Sequence, residues 1–119
     1  MGQRRLFMTL MRAELEDSIE GLEHLSGLLK DRLLKDEITN YVFNENAALL
    51  TREISGLKSL IPALEEIKSG DFPDVYALAR YTEETLLEKA KEWEDPEAVN
   101  GIITRKIRKI LAYILELPE

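Results

Sequence analysis

The chain has no cysteine, and its 119 residues include only four prolines, six glycines, one histidine and one tryptophan. Without thiols there can be no disulfide, no thiolate metal site and no cysteine nucleophile, and the composition suits a reducing cytosol, so a cytoplasmic location is expected. The serines and threonines lack a paired histidine and acid, so nucleophilic catalysis has no support. The glycines are isolated, with no Gly-x-Gly-x-x-Gly and no phosphate loop. No uncharged apolar run approaches the ~20 residues needed to cross a bilayer, and the opening stretch Met1–Met8 has a charged start without a sustained apolar region. Neither a membrane span nor a signal peptide is therefore expected. Positive charge is also short: 16 basic residues stand against 23 acidic ones, for a net charge of −7. That balance opposes general adhesion to nucleic acid or anionic lipid.

Apolar residues, by contrast, are plentiful at 45% of the chain, and they recur with helical spacing. A heptad frame runs from Leu15 through Ile19, Leu22, Ser26, Leu29 and Leu33, passes Asp36 and Asn40, and resumes at Phe43, Ala47, Leu50, Ile54, Leu57, Ile61 and Leu64. Twelve of these fifteen positions are apolar, and a stripe with a 3.5-residue period must be buried against other helices. Two successive polar seam positions near Asp36 predict a turn, with Asp36 as N-cap, between long antiparallel helices at about 6–34 and 37–68. Without that turn the frame would be one helix of nearly 60 residues, roughly 90 Å. Pro62 is expected to kink the second helix or start a new one.

Two further breaks follow. At Ser69–Asp74, Gly70 suits a left-handed helix end and Pro73 the first turn of the next helix. At Glu94–Glu97, Asp95 suits an N-cap and Pro96 a first helical position. Between the breaks Val75, Leu78, Ala79, Thr82, Leu86, Ala90 and Trp93 share one face. After the second, Val99, Ile102, Ile103, Ile107, Ile110, Ile114 and Leu117 do the same. No stretch alternates with a period of two. The expected fold is a single all-α domain over residues 1–119, an up-and-down bundle of three to four helices dominated by a long helical hairpin. Its first two helices exceed the others by about three turns, so part of their seam should protrude.

That excess, together with the breadth of the apolar face, points to protein contact. Leu10 and Leu28 on helix one, and Ile38, Val42, Leu49 and Leu60 on helix two, lie off the seam and are the candidate partner-binding residues. The function expected is a non-catalytic helical interaction and assembly module that binds itself or another helical protein. Ser26, Asn40 and Asn46 are candidates for fixing its register. The alternative is a nucleic-acid-associated protein: Arg105, Arg108 and Lys109 on the last helix, with Arg4, Arg5 and Arg12, could meet phosphates or an acidic partner. A third reading is a metal-dependent enzyme. Glu92 and Asp95 resemble the Glu-x-x-Asp element of all-α nucleotide pyrophosphatases, but Glu83 and Glu84 are followed by Glu88 at a different spacing, on the same helix. His24 and Glu20 are one turn apart, yet lie opposite the apolar stripe, where water solvates them. No cofactor or metal is therefore expected. Trp93, Tyr76, Tyr81 and Tyr113 are expected to pack in the core and at interfaces.

Overall fold

The computed structural model describes residues 2–117. Four helices build the fold: α1 (Gln3–Leu34), α2 (Asn40–Glu65), α3 (Val75–Glu92) and α4 (Glu97–Glu116), with a 3-10 turn at Ser69–Asp71 between α2 and α3. No strand occurs among the described residues. α1 packs along α2 and α4, and α3 closes the ring against α4 and α2, giving the all-α bundle with a dominant hairpin that the heptad frame demands.

The core occupies one end of that hairpin. α1 contributes Phe7, Met11, Leu15 and Ile19, and α2 contributes Leu57, Leu60 and Leu64. From α3 and α4 come the apolar faces read from the sequence, Val75 to Ala90 and Val99 to Ile114. Each fully buried large aliphatic side chain stabilises the fold by ~1.5–3 kcal/mol. Thr82, the one hydroxyl in this stripe, is buried and donates to the Leu78 carbonyl at 2.8 Å, so its polarity is satisfied within its own helix. Between Ile19 and Glu53 no residue is buried. α1 spans roughly 48 Å but α3 and α4 only roughly 27–30 Å, and the hairpin projects past them as an arm. The radius of gyration, 16.7 Å, accordingly exceeds the ~13–14 Å of a compact chain of this length.

The turn that makes the hairpin exists, but its chemistry differs from expectation. Asp36 is not the N-cap. It takes φ 56°, a left-handed conformation, and ends α1: its N–H reaches the Leu33 carbonyl at 3.1 Å while Glu37 N–H reaches that of Arg32 at 2.9 Å. This is a Schellman motif built without glycine. Thr39 caps α2 instead, its hydroxyl accepting from Val42 N–H at 3.2 Å. The same device ends α3, where Glu94 has φ 51° and Asp95 N–H bonds the Ala90 carbonyl at 2.9 Å. Asp95 is consequently not the cap of α4, whose N-cap is Pro96. Gly70 lies in the 3-10 turn and has no positive φ. Asp74 caps α3, accepting from Ala77 N–H at 2.8 Å. Pro62 neither starts a helix nor ends one, since α2 runs through it to Glu65. Trp93, expected in the core, falls just past the end of α3 and is 45% exposed, with the Lys89 ammonium 5.8 Å from its ring centroid. Tyr76, Tyr81 and Tyr113 are likewise exposed.

Candidate functional site

The arm carries an open apolar groove. Leu22, Leu29, Leu33, Phe43, Ala47 and Leu50 are half-buried at the positions where the heptad frame puts the α1–α2 seam. Beside the seam, Leu25, Leu28 and Leu29 of α1 face Asn46, Leu49 and Leu50 of α2 across a groove of about 510 Å³. Leu25 is 50% exposed, and Leu28 and Leu49 are each 45% exposed. This is the face that α3 and α4 cover lower down. Arg52 on α2 donates to the Glu94 carbonyl at 3.1 Å, and Gly56 lies under Asp95, so the α3–α4 junction sits where the groove ends. The rim holds Asp31, Arg32, Lys35 and Glu37, two charges of each sign, with Arg32 and Glu37 paired at 3.6 Å.

Of the residues nominated from sequence, Leu28, Val42 and Leu49 are exposed on the arm, and Ile38 is half-buried in the hairpin turn. Leu60 does not belong with them. It is fully buried, because α3 and α4 cover α2 at that level. Leu10 is partly buried against the same core. Leu25 was not nominated, although Leu25, Leu28 and Leu29 together widen the apolar face beyond a two-residue seam, which is the signal for a second neighbour. Asn46 lines the groove while its amide donates to the Val42 carbonyl at 2.8 Å, a bond within its own helix. Asn40 is the exposed first residue of α2, and Ser26 is half-buried.

The nominated cations do not form one surface. Arg4 hydrogen-bonds the Phe72 carbonyl, tying α1 to the loop before α3. Arg12 is shared between Glu16, at 2.9 Å, and Glu65. Arg5 and Arg108 are exposed. Lys109 and Lys106, the latter not nominated, each bind one oxygen of Glu14 at 2.9 Å, joining α4 to α1. The hydrogen bonds from Lys106 and then Lys109 hold the Glu14 carboxyl below the usual range. Arg105 Nε donates to Gly101 O at 3.2 Å.

One carboxylate lies in the opposite environment. A Cβ on Gly56 would stand 2.8, 2.9 and 3.0 Å from Asp95 Cγ, Oδ1 and Oδ2. Glycine at 56 is what lets this side chain lie against α2. Oδ2 is buried without a hydrogen-bond partner among the described residues. Burial raises the Asp95 pKa, and the positive charge of Arg52 partly offsets the rise.

His24 and Glu20 are both exposed, and no three histidine or acidic side chains group around a metal position among the described residues. None of the described helices is long and apolar enough to cross a membrane. Comparison of the chain with protein-family models, with curated proteins and with solved structures finds no match.

Proposed function

We propose that the chain is a non-catalytic helical assembly module that pairs with a second copy of itself through the open arm. The observation that carries this reading is the apolar groove of Leu25, Leu28 and Leu49, which continues the core-facing side of the hairpin past the point where α3 and α4 stop. Water-exposed leucines in a row are stabilised when a second apolar helix pair covers them. A second copy suits the rim. Paired groove to groove about a two-fold axis, the Asp31 and Glu37 carboxylates of one chain can meet Arg32 and Lys35 of the other. The two arms then form a four-helix cluster in which the half-buried seam is completed. The overlap is short, about three turns or ~15 Å, which places the contact at the small end of specific interfaces. The cysteine-free composition suits a cytosolic setting for such a module.

Size-exclusion chromatography with light scattering, combined with small-angle scattering across a concentration series, tests this. The expected result is a mass rising from 13.7 kDa toward twice that value as concentration increases, with a particle longer than the 54 Å monomer. Leu28→Glu together with Leu49→Glu should return the mass to that of the monomer without loss of helicity. A strictly monomeric wild-type chain at high micromolar concentration refutes the proposal.

A further inference from the structure

We infer that the groove between α1 and α4 binds an organic phosphate, that is, a ligand with at least two negative charges beside an apolar body. This groove encloses about 550 Å³ next to the arm groove, with Leu25 common to both. Its α4 wall presents Arg105, Lys106 and Lys109, and its α1 wall includes Ser18 and Gly21. Among the described residues the one carboxylate against this wall is that of Glu14, which stands at the edge of the groove 2.9 Å from both lysine ammoniums. On a chain of net charge −7, three cations beside one concavity are a local reversal of sign that favours an anion there. Their only paired carboxylate among the described residues is Glu14, which neutralises one of the three charges. Arg105 contributes only its Nε to a backbone carbonyl, so its two terminal amino groups can form the paired hydrogen bonds that guanidinium makes to phosphate oxygens.

The rest of the groove selects what accompanies the charge. Leu22, Leu25 and Ile102 supply apolar surface beside the cations, so a ligand with a ring or hydrocarbon body gains contacts that a bare inorganic anion does not. Gly21 leaves open space where a side chain would otherwise stand, since a Cβ there would have no neighbour within 4 Å. The Ser18 hydroxyl donates to the Glu14 carbonyl at 2.9 Å, and its oxygen retains acceptor capacity toward a ligand hydroxyl. The inference does not rest on self-association, since its cations stand on α4 outside the arm groove, but the two grooves share Leu25 and the test has to be read on the monomeric chain as well.

The test is a magnesium-free titration followed by amide NMR, using ADP as a charged ligand with an apolar body and inorganic pyrophosphate as the charge alone. Sodium chloride at matched ionic strength serves as the control. ADP is expected to give saturable shifts at the Gly21 and Ser18 amides at millimolar concentration or below, with pyrophosphate weaker. Arg105→Glu, which leaves both lysine pairs to Glu14 in place, should weaken ADP by at least about tenfold, the scale of one charge-assisted hydrogen bond. Glu14→Gln, which releases two ammonium groups, should tighten it. Repeating the titration on the Leu28→Glu, Leu49→Glu chain separates this result from that of self-association. Shifts reproduced by sodium chloride, no saturation with ADP, or an unchanged affinity in Arg105→Glu would overturn the assignment. Equal affinity for ADP and pyrophosphate would overturn its apolar half.

Discussion

Gly56→Ala is a substitution whose sign should reverse when one other residue is changed. In an exposed helix, replacing glycine by alanine stabilises by about 1 kcal/mol. At position 56 the new methyl would meet three atoms of the Asp95 carboxylate at once, all between 2.8 and 3.0 Å. All three belong to one carboxylate, so only a rotation of the whole Asp95 side chain clears them, while the backbone at its root is held by the Asp95 N–H to Ala90 bond and the Arg52 to Glu94 bond. Overpacking of this kind costs ~1–3 kcal/mol, so Gly56→Ala should destabilise the native chain by about 1 kcal/mol, lowering the melting temperature by roughly 3–6 °C. With Asp95→Ala already in place the obstruction is gone, and the same substitution should stabilise by about 1 kcal/mol. The coupling between the two positions is then about 2 kcal/mol. Urea denaturation of the four chains in the double-mutant cycle measures it. A stabilising Gly56→Ala in the presence of Asp95 would show that the carboxylate leaves its seat freely, and the close-approach argument would fall.

The remaining predictions concern pH, the arm and the turn. The raised pKa of Asp95 means that its contribution is fully present below the unfolded-state value and is lost as pH rises through the folded-state one. Asp95→Asn should therefore exceed the native chain in stability near neutrality, with the advantage vanishing in acid; an advantage independent of pH refutes the burial argument. Glu14, whose pKa is lowered, runs the other way: its stabilisation is present above the unfolded-state value and disappears as pH falls through the folded one. Glu14→Gln should cost about 1 kcal/mol at pH 7, since one lysine partner is largely in water, and nothing in strong acid, by denaturation across pH. Leu60→Ala should cost ~2–5 kcal/mol, whereas Leu28→Ala on the open arm should cost well under half as much; similar losses would mean that the arm is covered in the monomer. Asp36→Gly should stabilise by roughly 0.5–1 kcal/mol, because glycine holds the left-handed φ without strain. A loss in thermal melting would show that the aspartate side chain has a role the backbone geometry does not explain.

Helical periodicity made the core of α3 and α4 readable, because both helices bury one face against a single body and every 3–4 step lands on the same side. The overhang was readable for a different reason, the unequal lengths of the helical segments. What the residues concealed were the helix ends. Schellman ends are usually announced by glycine, and here Asp36 and Glu94 take the left-handed position while Gly70 does not. The heptad frame also keeps its phase across the hairpin turn, which made Asp36 look like part of a seam. Leu60 and Leu28 have the same residue type and similar offsets from the frame, yet one is buried and the other exposed. The difference is where α3 and α4 stop, a tertiary fact that local spacing does not encode. The basic groove was half visible: a cation run in α4 stands out in the sequence, but its pairing with Glu14 spans 92 and 95 positions of chain and appears only once the helices are packed.

Because no residue between Ile19 and Glu53 is fully buried and only Leu22 of that stretch packs against the closed core, the arm's reach beyond Leu22 is decoupled from the stability of the body that carries it. Removing one matched heptad from each strand of the hairpin, or adding one, would alter the reach by ~10 Å while leaving every fully buried residue in place. The molecule is in that sense a ruler attached to a fixed base, and its working distance can change through paired insertions or deletions that the folding machinery of the base would not register.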